Sequence, residues 1–431
     1  MPEPRTILAR DVEPGMMVET SVNPGNPMLV VYKDIKQRSD LIYLYKVKSE
    51  APLTLSFNAS VSVLDRDVTG YRKIIEDEQE NSFTYSSPYF TTVGSDPEIF
   101  AVDASGTVIP AFTYLPPKGP GVTRFFDGFQ AEWTTAPGQC IGYQMDHVRT
   151  GLLDVRTAAR AVDPTAKLST ASVVDIPSGW LDTIPREHFK LGCAPSENVY
   201  GEEPLRPDTP ELIPYRSAGW HMHFGFKTQV SEVGWDEKSK IPELSKETIH
   251  RTVRLLDQIL GVAMVPFGTK YYDPRRREMY GRAGEYRYGR TLEYRVPEVL
   301  LGAHPVTWNL FWDLGRQTAW LGLKNLAFIW EADDDEVRCA INEGNTKVAI
   351  RILQHNEKIL RRILNKCYEE PILTKAALRA IYEGIDSVVA RPLDIEGNWW
   401  LDRVWLPEVP GHANGTTMRL STAVFMDKAL V

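Results

Sequence analysis

The sequence predicts an α+β protein led by a small all-β unit, and three observations carry that prediction. Short β-prone runs separated by turn residues occupy residues 5 to 72. Strand and helix patterns then mix from about 88 to 305, and from about 306 the pattern turns helical. With 431 residues there is room for two or three domains of about 100–200 residues each. The expected division is a β-barrel or sandwich-like domain with an acidic linker at 1–84, then a larger domain at 85–431.

In chain order, Thr6-Ile7-Leu8, Met28 to Tyr32, Leu41 to Tyr45 and Val61 to Leu64 read as strands, with turns at Glu13-Pro14-Gly15 and Asn23 to Pro27. Such a unit commonly binds a partner or a neighbouring domain, and it holds no cluster of titratable groups. Glu76 to Ser82 reads as a polar linker. Ile99 to Val102 and Phe129 to Trp133 read as strands near turns at Gly106 and Gly128. Ile141, Met145, Val148, Leu152 and Val155 recur at helical spacing, and so do Ile249, Val253, Leu256, Leu260 and Ala263, with Ser245 placed to cap the second helix. Residues 160–245 are rich in Pro and turn formers and predict excursions. Trp308 to Trp330 is apolar nearly all round, which predicts a buried helix. Ile352/Leu353, Ile359/Leu360 and Ile363/Leu364 form an amphipathic stripe, and the tail from Arg391 predicts an extended, packed segment.

Composition removes several function classes. An apolar share of 43% with 25% charged residues belongs to an ordinary globular chain that builds its core without staples. A net charge of −8 argues against a general nucleic-acid or membrane-surface binder, which needs excess Lys and Arg. No stretch approaches the ~20 apolar residues of a membrane span. Met1-Pro2-Glu3-Pro4 is unlike a signal peptide, so a cytoplasmic protein is expected. Cys140, Cys193, Cys339 and Cys367 lack metal or disulfide spacing and read as small core residues in a reducing compartment.

Four segments carry chemistry. In Gly94-Ser95-Asp96-Pro97-Glu98 two acids at i and i+2 share one strand face, where they repel unless a cation such as Mg²⁺ or Mn²⁺ lies between them. In Asp127-Gly128-Phe129-Gln130-Ala131-Glu132 a turn signal leads into an acid flanked by apolar residues. In Gly219-Trp220-His221-Met222-His223 two imidazoles share a face and can hold a metal or a phosphate. From Lys270 to Pro297, seven arginines between 275 and 295 suit bidentate phosphate or carboxylate binding, and Glu293-Tyr294-Arg295 puts acid and guanidinium on one face. Each segment alone has a bland alternative: a capped turn, a solvated strand, a hydrogen-bonded His pair, and a solvated basic loop or arginines that satisfy acids elsewhere. That last alternative is strongest for Arg275, Arg276 and Arg277. Their order along the chain supplies cation ligands and phosphate-binding charge together, the equipment of phosphoryl transfer from ATP.

These segments, in this order, resemble phage-type amidoligases, which are carboxylate–amine ligases of the glutamine-synthetase-like superfamily. The resemblance covers about 88 to 305 and leaves out the N-terminal unit. It implies a curved antiparallel sheet with flanking helices that binds ATP and divalent ions. By position it implies Glu98, Glu132 and Glu293 as metal ligands with Asp96 assisting, and His221 or His223 touching a metal or the phosphates. Arg282, Arg287 and Arg295, together with Lys270, would hold nucleotide or acyl-phosphate; Glu98, Glu132, His223 and Arg295 would be catalytic. The implied reaction makes an acyl-phosphate from a small-molecule, peptide or protein carboxylate, and an amine then displaces phosphate. Where relatives often carry an Arg after the acidic strand, this chain has Trp133-Thr134-Thr135. Two other functions stay open here: a virion-associated structural protein that keeps the fold without turnover, which the extra N-terminal unit favours, and a kinase of a carboxylate or guanidino group. The implied setting is the cytoplasm of an infected cell, with no nucleic-acid or membrane partner and with self-association or virion assembly through residues 1–84.

Overall fold

A computed structural model of the chain describes residues 5–8, 17–20, 28–36, 41–46, 53–56, 60–64, 89–135, 138, 141–189, 196–202, 213–228, 244–268, 272–300, 305–323, 330–367 and 371–384. The expected linker at Glu76 to Ser82, the tail from Arg391, Lys270, Cys140 and Cys193 lie outside the described residues. The chain divides into two compact units. One comprises Met1–Phe90 with Phe226–Leu255 and Ala319–Glu331; the other comprises Thr91–Gly225, Leu256–Thr318 and Ala332–Val431.

In the first unit six strands, β1 (Arg5–Leu8), β2 (Met17–Thr20), β3 (Met28–Lys36), β4 (Leu41–Lys46), β5 (Leu53–Ser56) and β6 (Ser60–Leu64), form one sheet in the order β1-β6-β2-β3-β4-β5. All of its pairings are antiparallel, with Ile7 opposite Val61 and Val18 opposite Val63. Strands β2 (Met17–Thr20) and β5 (Leu53–Ser56) add to the four runs expected from the sequence.

The second unit is built on a nine-stranded sheet. Its strands are β7 (Tyr89–Val102), β8 (Val108–Ile109), β9 (Arg124–Asp127), β10 (Gln130–Trp133), β11 (Lys167–Ser169), β13 (Glu197–Asn198), β15 (Trp220–Thr228), β16 (Glu285–Tyr288) and β17 (Leu292–Tyr294). The main path runs β13-β16-β17-β15-β7-β10-β9, and β8 and β11 pair with β7. β12 (Val173–Asp175) and β14 (Tyr215–Ser217) make a separate two-stranded sheet within residues 160–245. The unit thus mixes helices with antiparallel sheet.

Alternation decides which side of the large sheet is core. Trp220, Met222 and Phe224 on β15, Leu292 and Tyr294 on β17, and Ala131 and Trp133 on β10 are all buried. Trp133 and Trp220 meet edge to face at 5.8 Å, and Trp220 and Trp308 lie 5.9 Å apart. Each such tryptophan removes about 200 Å² from water, worth roughly 4–5 kcal/mol. Helix Ile141–Val162 presses close, since a Cβ on Gly151 would lie 2.3 Å from the Trp133 ring.

Three helical expectations change in detail. The second periodic run is helical from Lys246 to Gly268 but passes through a π-helical stretch at Asp257–Gly261, which rotates the helix where Asp257 enters the core. The apolar run from Trp308 is helical as Pro305–Leu323, and Trp330 lies in a bend. The stripe from 346 to 367 is two helices, Thr346–His355 and Glu357–Cys367, because buried Asn356 caps the first and turns its Nδ2 to the Ile352 carbonyl at 3.0 Å. Among the described residues, no helix is long and apolar enough to cross a membrane.

Candidate active site

The sheet face opposite the tryptophans is polar, and strand alternation again explains it. Between the apolar residues of β15 stand His221 and His223; on β10 Gln130 and Glu132 alternate with Ala131 and Trp133; between Leu292 and Tyr294 on β17 stands Glu293. Register then carries the row across the strands. Glu132 is opposite Glu98, His223 is opposite Glu293, and Glu293 is opposite Arg287.

At one end of this row three acids converge. Glu98, Asp127 and Glu132 each bring a carboxylate oxygen to within 4.8 Å of the others. Asp127 enters because the β9–β10 hairpin has a two-residue loop, Gly128-Phe129, with Gly128 at φ +61°. The pairing of Asp127 with Gln130 sets it on the Glu132 face. Burial pushes Glu98 up to about 7, aided by the charge of Asp127 and opposed by Tyr280, Arg295 and the Gly219 N–H. Burial pushes Glu132 up to about 8, reinforced by Glu98, Asp127 and Asp96 and opposed by Lys118. Glu98 Oε2 accepts from the Gly219 N–H at 2.7 Å and from the Tyr280 hydroxyl at 2.5 Å, which fixes the carboxylate in place. Oxygen donors alone, from three carboxyl groups, suit a hard divalent cation such as Mg²⁺ or Mn²⁺.

The middle of the row is made of histidine–acid pairs. His223 Nε2 stands 3.1 Å from Asp96 Oδ2, while Nδ1 lies 2.9 Å from Thr291 Oγ1. Burial alone would lower His223 and raise Asp96; their pairing outweighs it, so His223 sits above its ordinary value and Asp96 below. His221 behaves oppositely. Burial, with Arg295, Arg276 and Arg287 nearby, holds it well below the usual range, so its imidazole is neutral. Its Nδ1 is 3.4 Å from Glu293 Oε1, and among the described residues its buried Nε2 has no hydrogen-bond partner. A neutral imidazole with an unmet nitrogen is a competent metal or phosphate contact.

At the far end, Glu293 is already answered. Arg287 reaches both of its oxygens, at 2.5 and 2.7 Å, and Arg295 Nε lies 3.2 Å away. Arg295 also donates to Ser196 Oγ at 2.7 Å and lies over the Tyr280 ring at 4.9 Å.

The remaining arginines divide by role. Arg276 is buried and donates to the carbonyls of Ala218, Arg295, Val296 and Pro297, so it pins the ends of β15 and β17 together. Its passage needs glycine on both sides: a Cβ would lie 2.7 Å from its Nη2 at Gly219 and 2.1 Å from its Nη1 at Gly281, where φ is +83°. Arg277 holds Glu298 and the Gly281 and Val296 carbonyls, and Arg275 holds Asp273 and Asp175. Arg282 is joined to the Arg277 carbonyl and to Glu202 at 3.3 Å, none of them part of the polar row. The structure therefore brings together Asp96, Glu98, Glu132, His221, His223, Glu293, Arg287 and Arg295. Arg282 is engaged elsewhere. Sequence reading did not assign Asp127, Tyr280 or Lys118; only Asp127 had a signal, since the Asp-Gly turn two residues before Gln130 implies the hairpin register.

No protein-family model matches the sequence, and no curated protein matches it. Among solved structures the chain is similar to a bifunctional glutathione synthetase from Pasteurella multocida, at 11% identity and TM-score 0.39, over 83% of this chain and 54% of that one. It is also similar to GmaS, a gamma-glutamylmethylamide synthetase, in its complex with ADP (13% identity, TM-score 0.36, 84% and 82% of the two chains). The ligand-free form of GmaS gives 12% identity and TM-score 0.35, over 88% and 84%. The chain spans about half the length of the glutathione synthetase. At such TM-scores the likeness decides neither fold nor function.

Proposed function

We propose that the polar face is the active site of an ATP-dependent carboxylate–amine ligase. The observation that carries this reading is the convergence of Glu98, Asp127 and Glu132, whose carboxylate oxygens lie within 4.8 Å of one another, on the same sheet face as Arg287 and Arg295. Glu98, Asp127 and Glu132 would hold Mg²⁺ or Mn²⁺. Glu293, His221, His223 and Asp96 are placed beside them for a further ion or the phosphate groups. Arg287 and Arg295 would exchange part of their hold on Glu293 for phosphate oxygens, as forked guanidinium groups readily do. A bound divalent ion supplies charge that offsets the negative charge on phosphate oxygens.

The reaction has two balanced steps. A substrate carboxylate oxygen attacks the γ-phosphorus of ATP, the bond to the β-phosphate oxygen breaks, and ADP leaves an acyl-phosphate behind. An amine nitrogen then attacks the acyl carbon, phosphate departs with the C–O bond electrons, and the nitrogen loses a proton. The deciding experiment supplies Mn²⁺, ATP, hydroxylamine as a general amine and a panel of amino-acid and dicarboxylic-acid substrates. A ligase yields a hydroxamate, with ADP and inorganic phosphate released in equal amounts. Continued ADP formation with hydroxylamine omitted, with a phosphorylated product and no inorganic phosphate, would instead identify a kinase, and no ADP with any carboxylate would favour a structural role.

A further inference from the structure

Lys118 has no part in the reading so far. It lies in the loop between β8 and β9, whose backbone is tied down: the Phe126 N–H donates to the Pro116 carbonyl at 3.0 Å, and the Val122 N–H donates to Gly119 at 3.1 Å. Pro116, Pro117 and Pro120 stiffen it further. The side chain is the opposite. It is 71% exposed, its Nζ is 3.7 Å from Glu132 Oε1, and it lies 4.6 Å from the centre of the Phe125 ring. The distance to Glu132 is too long for a hydrogen bond. Among the described residues, Lys118 makes no hydrogen bond at all.

We propose that Lys118, which stands beside Glu132, is the arm that receives the carboxylate substrate when a divalent ion is held by the acid cluster. The inference deepens the ligase reading and rests on it. An ammonium and a divalent cation repel each other, so Lys118 gives up Glu132 when the cluster is filled. A carboxylate that approaches Glu98, Asp127, Glu132 and Asp96 needs a cation at the rim. Arg287 and Arg295 are engaged with Glu293, and Arg276 with four carbonyls. Lys118 is mounted on a fixed loop, carries a flexible stem and sits at that rim. Phe125 beneath it gives the substrate's carbon stem an apolar seat.

Electron paramagnetic resonance titration of Mn²⁺ into the full chain tests the first half. Lys118→Met should bind Mn²⁺ about two- to fivefold tighter than wild type, the scale of an exposed ion pair. Unchanged or weaker binding in Lys118→Met overturns the assignment alone; a folded wild type that binds no Mn²⁺ overturns the ligase reading with it. The second half uses ¹³C-labelled acetate as the carboxylate probe on Mn²⁺-loaded protein. Relaxation of the acetate carboxyl by bound Mn²⁺ should be strong in wild type, kept in Lys118→Arg and lost in Lys118→Met. No enhancement in wild type, or equal enhancement in Lys118→Met, overturns it.

Discussion

At the β16–β17 end of the polar face, Glu293 is gripped on both oxygens by Arg287 and approached by Arg295. At the β9–β10 end, Glu98, Asp127 and Glu132 converge, with Lys118 at 3.7 Å from Glu132. Both ends are built from buried acids on neighbouring strands, and they differ in what compensates them. A buried carboxylate is costly unless it is paired or protonated. One end has solved that problem within the protein. The other is left with raised proton affinity and a cluster of oxygens, the condition a divalent ion relieves.

The largest expected effect separates the two ends directly. Glu132→Ala should lower Mn²⁺ affinity by about 100-fold or more, beyond the 10–100-fold that outer partners control. Glu293→Ala should lower it less than tenfold, because Glu293 already has its cations. Equal losses, read by calorimetry on folded proteins, would erase the distinction. Next comes Gly219→Ala, since a Cβ there meets Arg276 at 2.7 Å and His221 at 2.9 Å. Overpacking of this kind costs about 1–3 kcal/mol, so urea unfolding should show a lower midpoint. A neutral result would mean that Arg276 can shift without harm.

Tyr280→Phe tests how the acid end is held. Loss of the hydroxyl that donates to Glu98 should reduce Mn²⁺ affinity by about tenfold with little loss of stability. The smallest effect concerns an acid outside the row. Burial pushes Asp257 up to about 7, while Tyr294 and Tyr200 hold it down and no acid stands among the causes. With its folded value above its ordinary 3.8, its contribution to stability is complete below about pH 4 and is lost as pH rises through about 7. Asp257→Asn keeps an acceptor for Tyr294, so its stability relative to wild type should rise as pH goes from about 4 to about 7 in urea unfolding and level off above that. An unchanged difference would mean that burial alone does not raise acids in this core.

Much of the face could be read in advance because period-two spacing is local. Asp96 with Glu98, His221 with His223, and Glu293 with Arg295 each follow from alternation along one strand. The pairings between strands could not be read that way: nothing in the sequence says that His223 lies opposite Glu293 or Glu132 opposite Glu98. The arginine-rich run divides by position. Arg275 and Arg277 hold acids elsewhere, the alternative strongest for them in the sequence, while Arg276 holds backbone carbonyls near Gly219 and Gly281 and Arg282 is joined to Glu202. Asp127 was legible only through hairpin register, and Tyr280 reaches Glu98 across 182 positions, beyond any local pattern.

The most direct test is a crystal of the full chain soaked in Mn²⁺, with anomalous scattering used to locate the ion. The account predicts a peak among Glu98, Asp127 and Glu132, with Lys118 moved away from Glu132. A peak at His221 and Glu293 with the acid cluster empty, or no peak at saturating Mn²⁺, would contradict it.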